Sequence, residues 1–187
     1  MRPRVVVLIA LLATACSAPT EAAAPPPPPP TPTGPSPELL AWVDKVCGTT
    51  VTAVAPLQTQ PTLDQNSATK MKTQFLDYLT KSSQSLGQGL TDLQGMVSGP
   101  SKDSTRYVES HTTMLTTLKD SLDKSIGKVK DANPKDGLSF TLTLQGAAGD
   151  IQTSSILASS SIGVLVEKTL ADAEKQSTNC QKLIKKK

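Results

Sequence analysis

Apolar residues recur at alternating steps of three and four positions through much of the chain after residue 37, the pattern of helices that share a buried core. Two such seams flank Gly99-Pro100-Ser101, which is expected to end one helix and to offer a cap to the next. Asp103 adds negative charge to the first turn of the later helix. The first seam is Met71, Phe75, Tyr78 or Leu79, Leu86, Leu90, Leu93 and Val97. The second seam is Val108, His111, Leu115, Leu118, Leu122, Ser125 or Ile126, and Val129.

Capping and breaking residues predict where the outer helices start and stop. The first helix is expected to begin at Ser36-Pro37-Glu38, where a serine can cap and a proline suits the first turn. It should run to near Ala55, since Pro56 closes it. The third helix should end near Asp131, because Asn133-Pro134 disfavours continuation.

The last third of the domain, from about Asp136 to Asn179, could form one long helix or two helices joined near Gly146 to Gly149. One seam continues across this region, which favours a single helix that can bend: Leu144, Ala148, Ile151, Ser155, Ala158, Ile162 and Leu165. Residues 140–144 alternate like a strand but have no clear partner strand. The sequence therefore predicts an all-α, up-down-up-down four-helix bundle over residues 38–187.

Two cysteines fall at opposite ends of this domain. Cys47 lies near the start of the first helix and Cys180 at the end of the last. In an up-down-up-down bundle these helices are antiparallel neighbours, so we predict a helix 1 to helix 4 disulfide. Closing a loop of about 134 residues is worth roughly 5 kcal/mol in the chain-entropy estimate. No CxxC spacing or nearby histidine suggests a metal or redox role.

The first 15 residues have the layout of an export signal peptide. Arg2 and Arg4 precede the apolar run Val5 to Leu12, and small residues follow. The apolar run is shorter than the roughly 20 residues that a membrane helix needs. An exported chain is therefore expected, with cleavage before residue 16.

Cys16 gives the export signal a more specific interpretation. Leu12-Ala13-Thr14-Ala15-Cys16 resembles the lipobox of bacterial lipoproteins, whose cysteine is lipidated on sulfur and becomes the new N-terminus. Ala13 stands where that family most often has leucine, and the same residues would also suit an ordinary secretory peptidase. Pairing of Cys47 with Cys180 would leave Cys16 as an odd thiol in an exported chain, which favours lipidation.

Residues 16–37 are expected to form a lipid-anchored, proline-rich disordered tether. Six successive prolines, Pro25 to Pro30, favour a stiff polyproline II rod, and the whole tether would reach about 60 Å if extended. A stalk, a ligand for proline-recognition modules and a tether of unselected length all fit. The chain is similar to the small, Pro-stalked lipoproteins of Gram-positive bacteria. That resemblance implies a location only: exported and anchored to the outer face of the cytoplasmic membrane.

Net charge argues against nucleic acid as a partner. Removal of residues 1–15 takes away two arginines and no acid, so the formal charge falls from +3 to +1. Aromatic residues make up only 3% of the chain and leave little for stacking on bases. The basic C-terminus has two interpretations, favourable charge at a helix end or contact with anionic lipid or wall polymer. Its residues are Lys182, Lys185, Lys186 and Lys187.

Few residues could carry catalysis or hold a cofactor. His111 is the sole histidine, and with Met114 nearby it could in principle ligate haem. A lone histidine at a bundle seam is more often a hydrogen-bonded or partly exposed residue, so no metal, cofactor or catalytic residue is assigned. No GxSxG, HExxH, Walker or GxGxxG motif occurs. The acids Asp120 and Asp123, and Asp172 and Glu174, are interleaved with lysines as on solvated helix faces.

Small residues dominate the last helix, which is consistent with tight packing or with a groove lined by Ser and Thr that accepts an apolar ligand. They are Gly146, Ala147, Ala148, Gly149, Ser154, Ser155, Ala158, Ser159, Ser160, Ser161 and Gly163. The leading prediction is a non-enzymatic cell-envelope lipoprotein that presents a helical bundle to an envelope protein or wall polymer. A module for a lipid or other apolar molecule is the alternative, and a hydrolase using His111 is the third.

Overall fold

The computed structural model describes residues 34–161 and 167–184. These residues form α-helices, with a 3₁₀-helix at Ala55–Gln58 and no strand within the described ranges. The helices are α1 (Pro37–Val54), α2 (Ala68–Gln94), α3 (Ser104–Asp131), α4 (Gly137–Ser161), α5 (Lys168–Gln176) and α6 (Thr178–Ile184). No helix in this part of the chain is long and apolar enough to cross a bilayer.

The start of α1 agrees with the sequence prediction. The Ser36 hydroxyl accepts a hydrogen bond from the Leu39 N–H at 3.1 Å, and Pro37 occupies the first turn. The helix gives way to the 3₁₀-helix at Ala55, one residue before Pro56. A proline in the first turn of that short helix costs no hydrogen bond, because its nitrogen would have no partner there.

The two predicted seams are confirmed as the buried faces of α2 and α3, except at Val97, because α2 ends at Gln94, before the stop that the sequence predicts at Gly99-Pro100-Ser101. Leu79, Leu86 and Leu93 on α2 are fully buried, as are Leu115 and Leu122 on α3, and the remaining seam residues are buried or partly buried. The predicted end of the third helix at Asp131 is also confirmed. Helices with one apolar face therefore supply most of the core.

Gly89 lets α2 approach α1 very closely. A Cβ atom at this position would lie 2.5 Å from the Ala53 Cβ and 3.1 Å from the Leu115 Cδ1. Real Cβ atoms essentially never come this close to a neighbour, so only glycine fits here without a shift of the helices.

The connection between α2 and α3 packs against Trp42. The Trp42 indole N–H donates to the Met96 carbonyl at 3.2 Å, and a Cβ at Gly99 would lie 2.4 Å from the Trp42 ring. The expected cap by Ser101 is wrong, because Asp103 holds the cap position without a side-chain capping bond. The Asp103 carboxylate instead accepts a hydrogen bond from the backbone N–H of Glu167 at 2.9 Å. It therefore binds the residue that precedes α5 and not the first turn of α3.

The prediction of one helix from Asp136 to Asn179 is wrong. The backbone is not helical at Glu167, before α5, where ψ is 142°, and it is extended at Ser177, between α5 and α6. The helices also pack on different neighbours, since α4 lies against α3 whereas α5 and α6 lie against α1. A single straight helix could not reach both neighbours, which explains the break between α4 and α5. The last helix, α6, carries Cys180.

The predicted seam of the fourth helix is displaced by one residue in its middle. Leu144 is buried as expected, but the next buried position is Ala147, and Ala148 is exposed. Phe140, in the segment that alternates like a strand, is 3% exposed and helical. Small side chains on all sides of α4 made the register ambiguous in the sequence.

Candidate functional site: the C-terminal clasp and the adjoining groove

A disulfide joins Cys47 on α1 to Cys180 on α6, the two cysteines that the sequence predicts to pair, although Cys47 lies near the middle of α1 and not near its start. Their Cα atoms lie 5.0 Å apart and both residues are buried. The hydroxyl of Tyr107 on α3 lies 3.2 Å from the Cys47 Sγ and 3.7 Å from the Cys180 Sγ. Burial, and secondarily the charge of Glu174, raises the pKa of Tyr107, so its hydroxyl keeps its proton at neutral pH. The disulfide is therefore part of the buried core.

A network of hydrogen bonds reinforces the disulfide one turn away. The Asp44 Oδ1 accepts from the Asn179 backbone N–H at 3.0 Å and from the Ser177 hydroxyl at 2.7 Å. The Asp44 Oδ2 accepts from the Asn179 Nδ2 at 2.8 Å. The Ser177 Oγ also accepts from the Cys180 N–H at 3.1 Å, as a cap of α6. We call these bonds together with the disulfide the C-terminal clasp.

The clasp holds the Asp44 carboxylate in its charged form. The backbone bond from Asn179 is the largest cause, and the Ser177 bond the next, of a pKa below the ordinary value of 3.8 for Asp44. Sequence reasoning missed this cluster. One feature of the sequence could have revealed it. Asp44 precedes Cys47 by one turn and Asn179 is the neighbour of Cys180, so pairing of the two cysteines brings Asp44 close to Asn179.

An open groove of about 490 Å³ lies beside the clasp, between α1, α2 and α6. Its walls carry hydroxyl, amide, carboxylate and ammonium groups, with two lysines and two aspartates among them. The lining residues are Asp44, Lys45, Gly48, Thr49, Val51, Thr52, Ala53, Ser85, Gln88, Gly89, Asp92, Asn179 and Lys182. A surface of this kind can form many directional hydrogen bonds and has no net charge from its lining.

The clasp sets the shape of this groove. A Cβ at Gly48 would lie 2.9 Å from the Asn179 Nδ2, so the α6 wall sits directly on the bare backbone of α1. On the far wall the Gln88 Nε2 donates to the Asp92 Oδ1 at 2.8 Å. Lys182, at the rim, donates to the Asn179 Oδ1 at 2.9 Å, which leaves its charge beside the opening.

His111 is fully buried on α3 and bonded to α1. Its Nδ1 lies 2.9 Å from the Thr50 Oγ1, whereas its Nε2 is buried without a hydrogen-bond partner. The ring packs beside Tyr107, with a centroid separation of 4.9 Å. Burial lowers the pKa of His111 to about 4, so the imidazole is neutral at pH 7. The ring is therefore hydrogen-bonded at one nitrogen, as one of the two sequence interpretations has it, and it is not partly exposed, as the other has it.

Other candidate residues are spread over the surface. Asp123 accepts from Lys119 and from Ser83, and Asp172 is paired with Lys168 and Lys175. Glu174 differs from the expected solvated residue, because burial raises its pKa above 4.5. In the described ranges no three His, Cys, Asp or Glu side chains come together as a metal site. Met114, three residues after His111 on α3, is also buried.

Several predicted features lie outside the described residues. These are the signal peptide, Cys16, most of the tether and the terminal Lys185, Lys186 and Lys187. The small residues Ser159, Ser160 and Ser161 are within or at the end of α4, but only the backbone is described there.

Comparison with known proteins gives no family assignment. No family model, no curated protein and no solved structure matches this chain.

Proposed function

We propose that this protein is a non-enzymatic cell-envelope lipoprotein, anchored to the membrane through Cys16, that presents a helical domain to another envelope protein or to a wall polymer. The proposal includes an up-down-up-down order of the four long helices. Contacts of Lys72 with the Lys130 carbonyl and of Ser83 with Asp123 support opposite directions for α2 and α3.

The groove beside the C-terminal clasp carries this proposal. It is open, and its walls present neutral hydrogen-bonding groups together with charges of both signs. Such groups suit the polar surface of a protein or a glycan, which forms hydrogen bonds across a wide contact. The disulfide and Asp44 fix the α6 wall in place, so little conformational entropy would be lost there on binding.

Two observations favour binding over catalysis and over capture of an apolar molecule. His111, the one histidine, is 0% exposed and bonded to Thr50, so a substrate could not reach its ring without local opening. The groove is lined by Lys45, Lys182, Asp44 and Asp92, whereas sites for lipids are mostly apolar. The serine-lined region of α4 that would suit an apolar ligand lies mostly beyond the described side chains.

The test is photo-crosslinking on intact cells that express the full chain. A photoreactive residue replaces Thr52, which is exposed and lines the groove. Thr117 on α3 is the matched control, because it is also an exposed helical threonine whose hydroxyl bonds the carbonyl four residues earlier. We expect a discrete adduct with an envelope protein or wall fragment from position 52 and none from position 117.

Equal labelling at both positions, or no adduct from position 52 at full surface expression, would contradict the groove as the contact site. Adducts with lipid alone would favour the apolar-ligand alternative. Mass spectrometry of the adduct distinguishes protein, glycan and lipid.

A further inference from the structure

Helix α4 has two seams on opposite sides. The inner seam packs toward the core and consists of Phe140, Leu144, Ala147 and Ile151. The outer seam is exposed, recurs at steps of four and three, and consists of Leu138, Leu142, Gln145, Gly149 and Gln152. The two seams are offset by two residues, which is about 200° around a helix. Of the other described helices, α4 has its substantial contacts with α3 alone.

The outer seam exposes large apolar side chains and leaves open space beside them. Leu138 is 75% exposed and Leu142 is 58% exposed. Cβ atoms built at Gly146 and Gly149 would meet nothing within 4 Å. These glycines therefore do not serve close packing within the chain, contrary to the tight-packing interpretation of the sequence. They form hollows next to the exposed leucines.

The outer seam is also uncharged. The one charged residue of α4, Asp150, lies beside the seam and pairs with Lys128 on α3 at 2.6 Å. In a symmetric contact each residue meets the same surface of the other copy, so any charge near the axis would face its own kind. An uncharged seam avoids this repulsion and suits a second copy of itself.

We propose that the outer seam of α4 binds the same seam of a second copy of this chain in an antiparallel arrangement. With the two-fold axis between residues 145 and 146, Leu142 of each copy lies opposite Gly149 of the other. The leucine then fills the hollow that the glycine leaves, and the same contact occurs twice. The complementarity of Leu142 and Gly149, two turns apart on one face, is what selects a second copy as the occupant.

The size of the seam predicts a weak interface. About this axis the two helices overlap over residues 137–154, about 27 Å, and a strip about 10 Å wide covers roughly 270 Å² per copy. Stable complexes bury about 800 Å² per partner, so this dimer should form only at high local concentration. Anchoring through Cys16, part of the proposed function, would supply that concentration on a membrane. The contact itself needs neither the anchor nor the groove.

Single-cysteine crosslinking of the full chain on cells tests the arrangement. In the variant Gln145→Cys, the two new thiols lie next to each other across the axis and should form a disulfide-linked dimer under mild oxidation. Gln152→Cys is the matched control, with the same residue type on the same seam. Its two thiols would be about 20 Å apart along the antiparallel pair, so it should give little dimer. Equal crosslinking of both variants would overturn the proposal.

A second substitution tests the hollow. Gly149→Glu should lower the dimer yield of Gln145→Cys at least tenfold, because it fills the hollow and places a charge against Leu142 of the other copy. The same change should not unfold the domain, since nothing lies within 4 Å of its Cβ and glutamate favours a helix more than glycine does. Unchanged dimer yield in a folded Gly149→Glu protein, or adducts with a different protein in place of a dimer, would reject the second copy as the occupant. Dimer formation by the purified, unanchored Gln145→Cys chain at high protein concentration would support the seam without any anchor, and absence of the dimer there would reject the seam, so this proposal and the anchoring one fail separately.

Discussion

The backbone N–H of Asn179, at the start of α6, donates to the Asp44 carboxylate of α1 at 3.0 Å, across 135 positions of sequence. This bond places a charged acceptor at a helix N-terminus, where backbone donors have no partner of their own. It lies one turn from the Cys47–Cys180 bridge, so a covalent and an electrostatic link act on the same short helix.

Asp44→Asn should destabilise the domain by about 1–3 kcal/mol, because the Ser177 and Asn179 donors lose a charged acceptor. Thermal unfolding at pH 7 measures the change. Asp77→Asn, at an exposed site on α2, is the control and should have little effect. The lowered pKa of Asp44 adds a pH test, since its stabilisation is present above pH 3.8 and is lost as the pH falls below that value. Equal melting temperatures for both variants would contradict a stabilising role.

His111 should make the domain sensitive to mild acid. Its pKa of about 4 in the folded chain lies below the ordinary 6.5, so between these values the unfolded chain binds a proton that the folded chain does not. Stability is therefore complete above pH 6.5 and falls by about 3 kcal/mol on acidification to pH 4. Urea unfolding at steps between pH 7 and pH 4 measures the loss.

His111→Gln should fold with the same helical spectrum and lack most of this pH dependence. Glu174 acts in the opposite sense, because a pKa raised above 4.5 stabilises the folded chain as it takes up a proton on acidification. The difference between wild type and variant cancels that contribution. If the two proteins lose stability in parallel, His111 is not the source of the acid sensitivity.

Replacing both bridge cysteines should loosen α6 before it affects the other helices. Cys47→Ala with Cys180→Ala removes a link across 133 positions, which is worth up to about 5 kcal/mol. Amide hydrogen exchange should rise first in α5 and α6, whose contacts with the rest of the chain are mainly to α1. In the wild type no thiol should react with a labelling reagent before denaturation and reduction, except at Cys16 if that residue is unmodified. Uniform loss of protection across α2 and α3 would show that the bridge supports the whole core.

Gly89→Ala should destabilise the domain by roughly 1–3 kcal/mol, because its methyl group would collide with Ala53. Gly127→Ala is the matched control, since it is also within a long helix but its Cβ would meet nothing within 4 Å. That control should be stabilised by up to about 1 kcal/mol through helix propensity. Opposite shifts in melting temperature are expected, and shifts of the same sign would contradict the close contact of α1 and α2.

Cys16→Ser should release the protein from the membrane into the medium, because the modified thiol is the proposed anchor. Fractionation of cells followed by immunoblotting measures the release. Mass spectrometry of the mature N-terminus gives an independent reading. An unmodified cysteine at that terminus would favour ordinary secretion, which the residues before Cys16 also suit.

Periodicity and capping residues were enough to predict the helical class, both ends of α1, the end of α3 and the seams of α2 and α3, but not the end of α2 at Gln94. The reason is that each of these helices buries one face, so Leu79, Leu86, Leu115 and Leu122 recur with the helical period. The same reasoning failed for residues 136–179, where small side chains on all sides weaken the period. The break before α5 follows from the need to pack on two different helices, which no local pattern encodes. At Ser177 the chain leaves the helix where Ser177 and Asn179 bond to Asp44 of α1, a contact that is equally invisible in the local sequence.

The sequence by itself determined the apolar seams, the first cap and which two cysteines of the domain can pair, because these depend on the order of residues along one helix or on simple exclusion. Only the tertiary structure decided that Asp44 meets Asn179, that Tyr107 lies against the bridge and that the outer seam of α4 is uncovered. Each of these depends on contacts between residues far apart in the chain, and their geometry is set by how closely the helices approach one another.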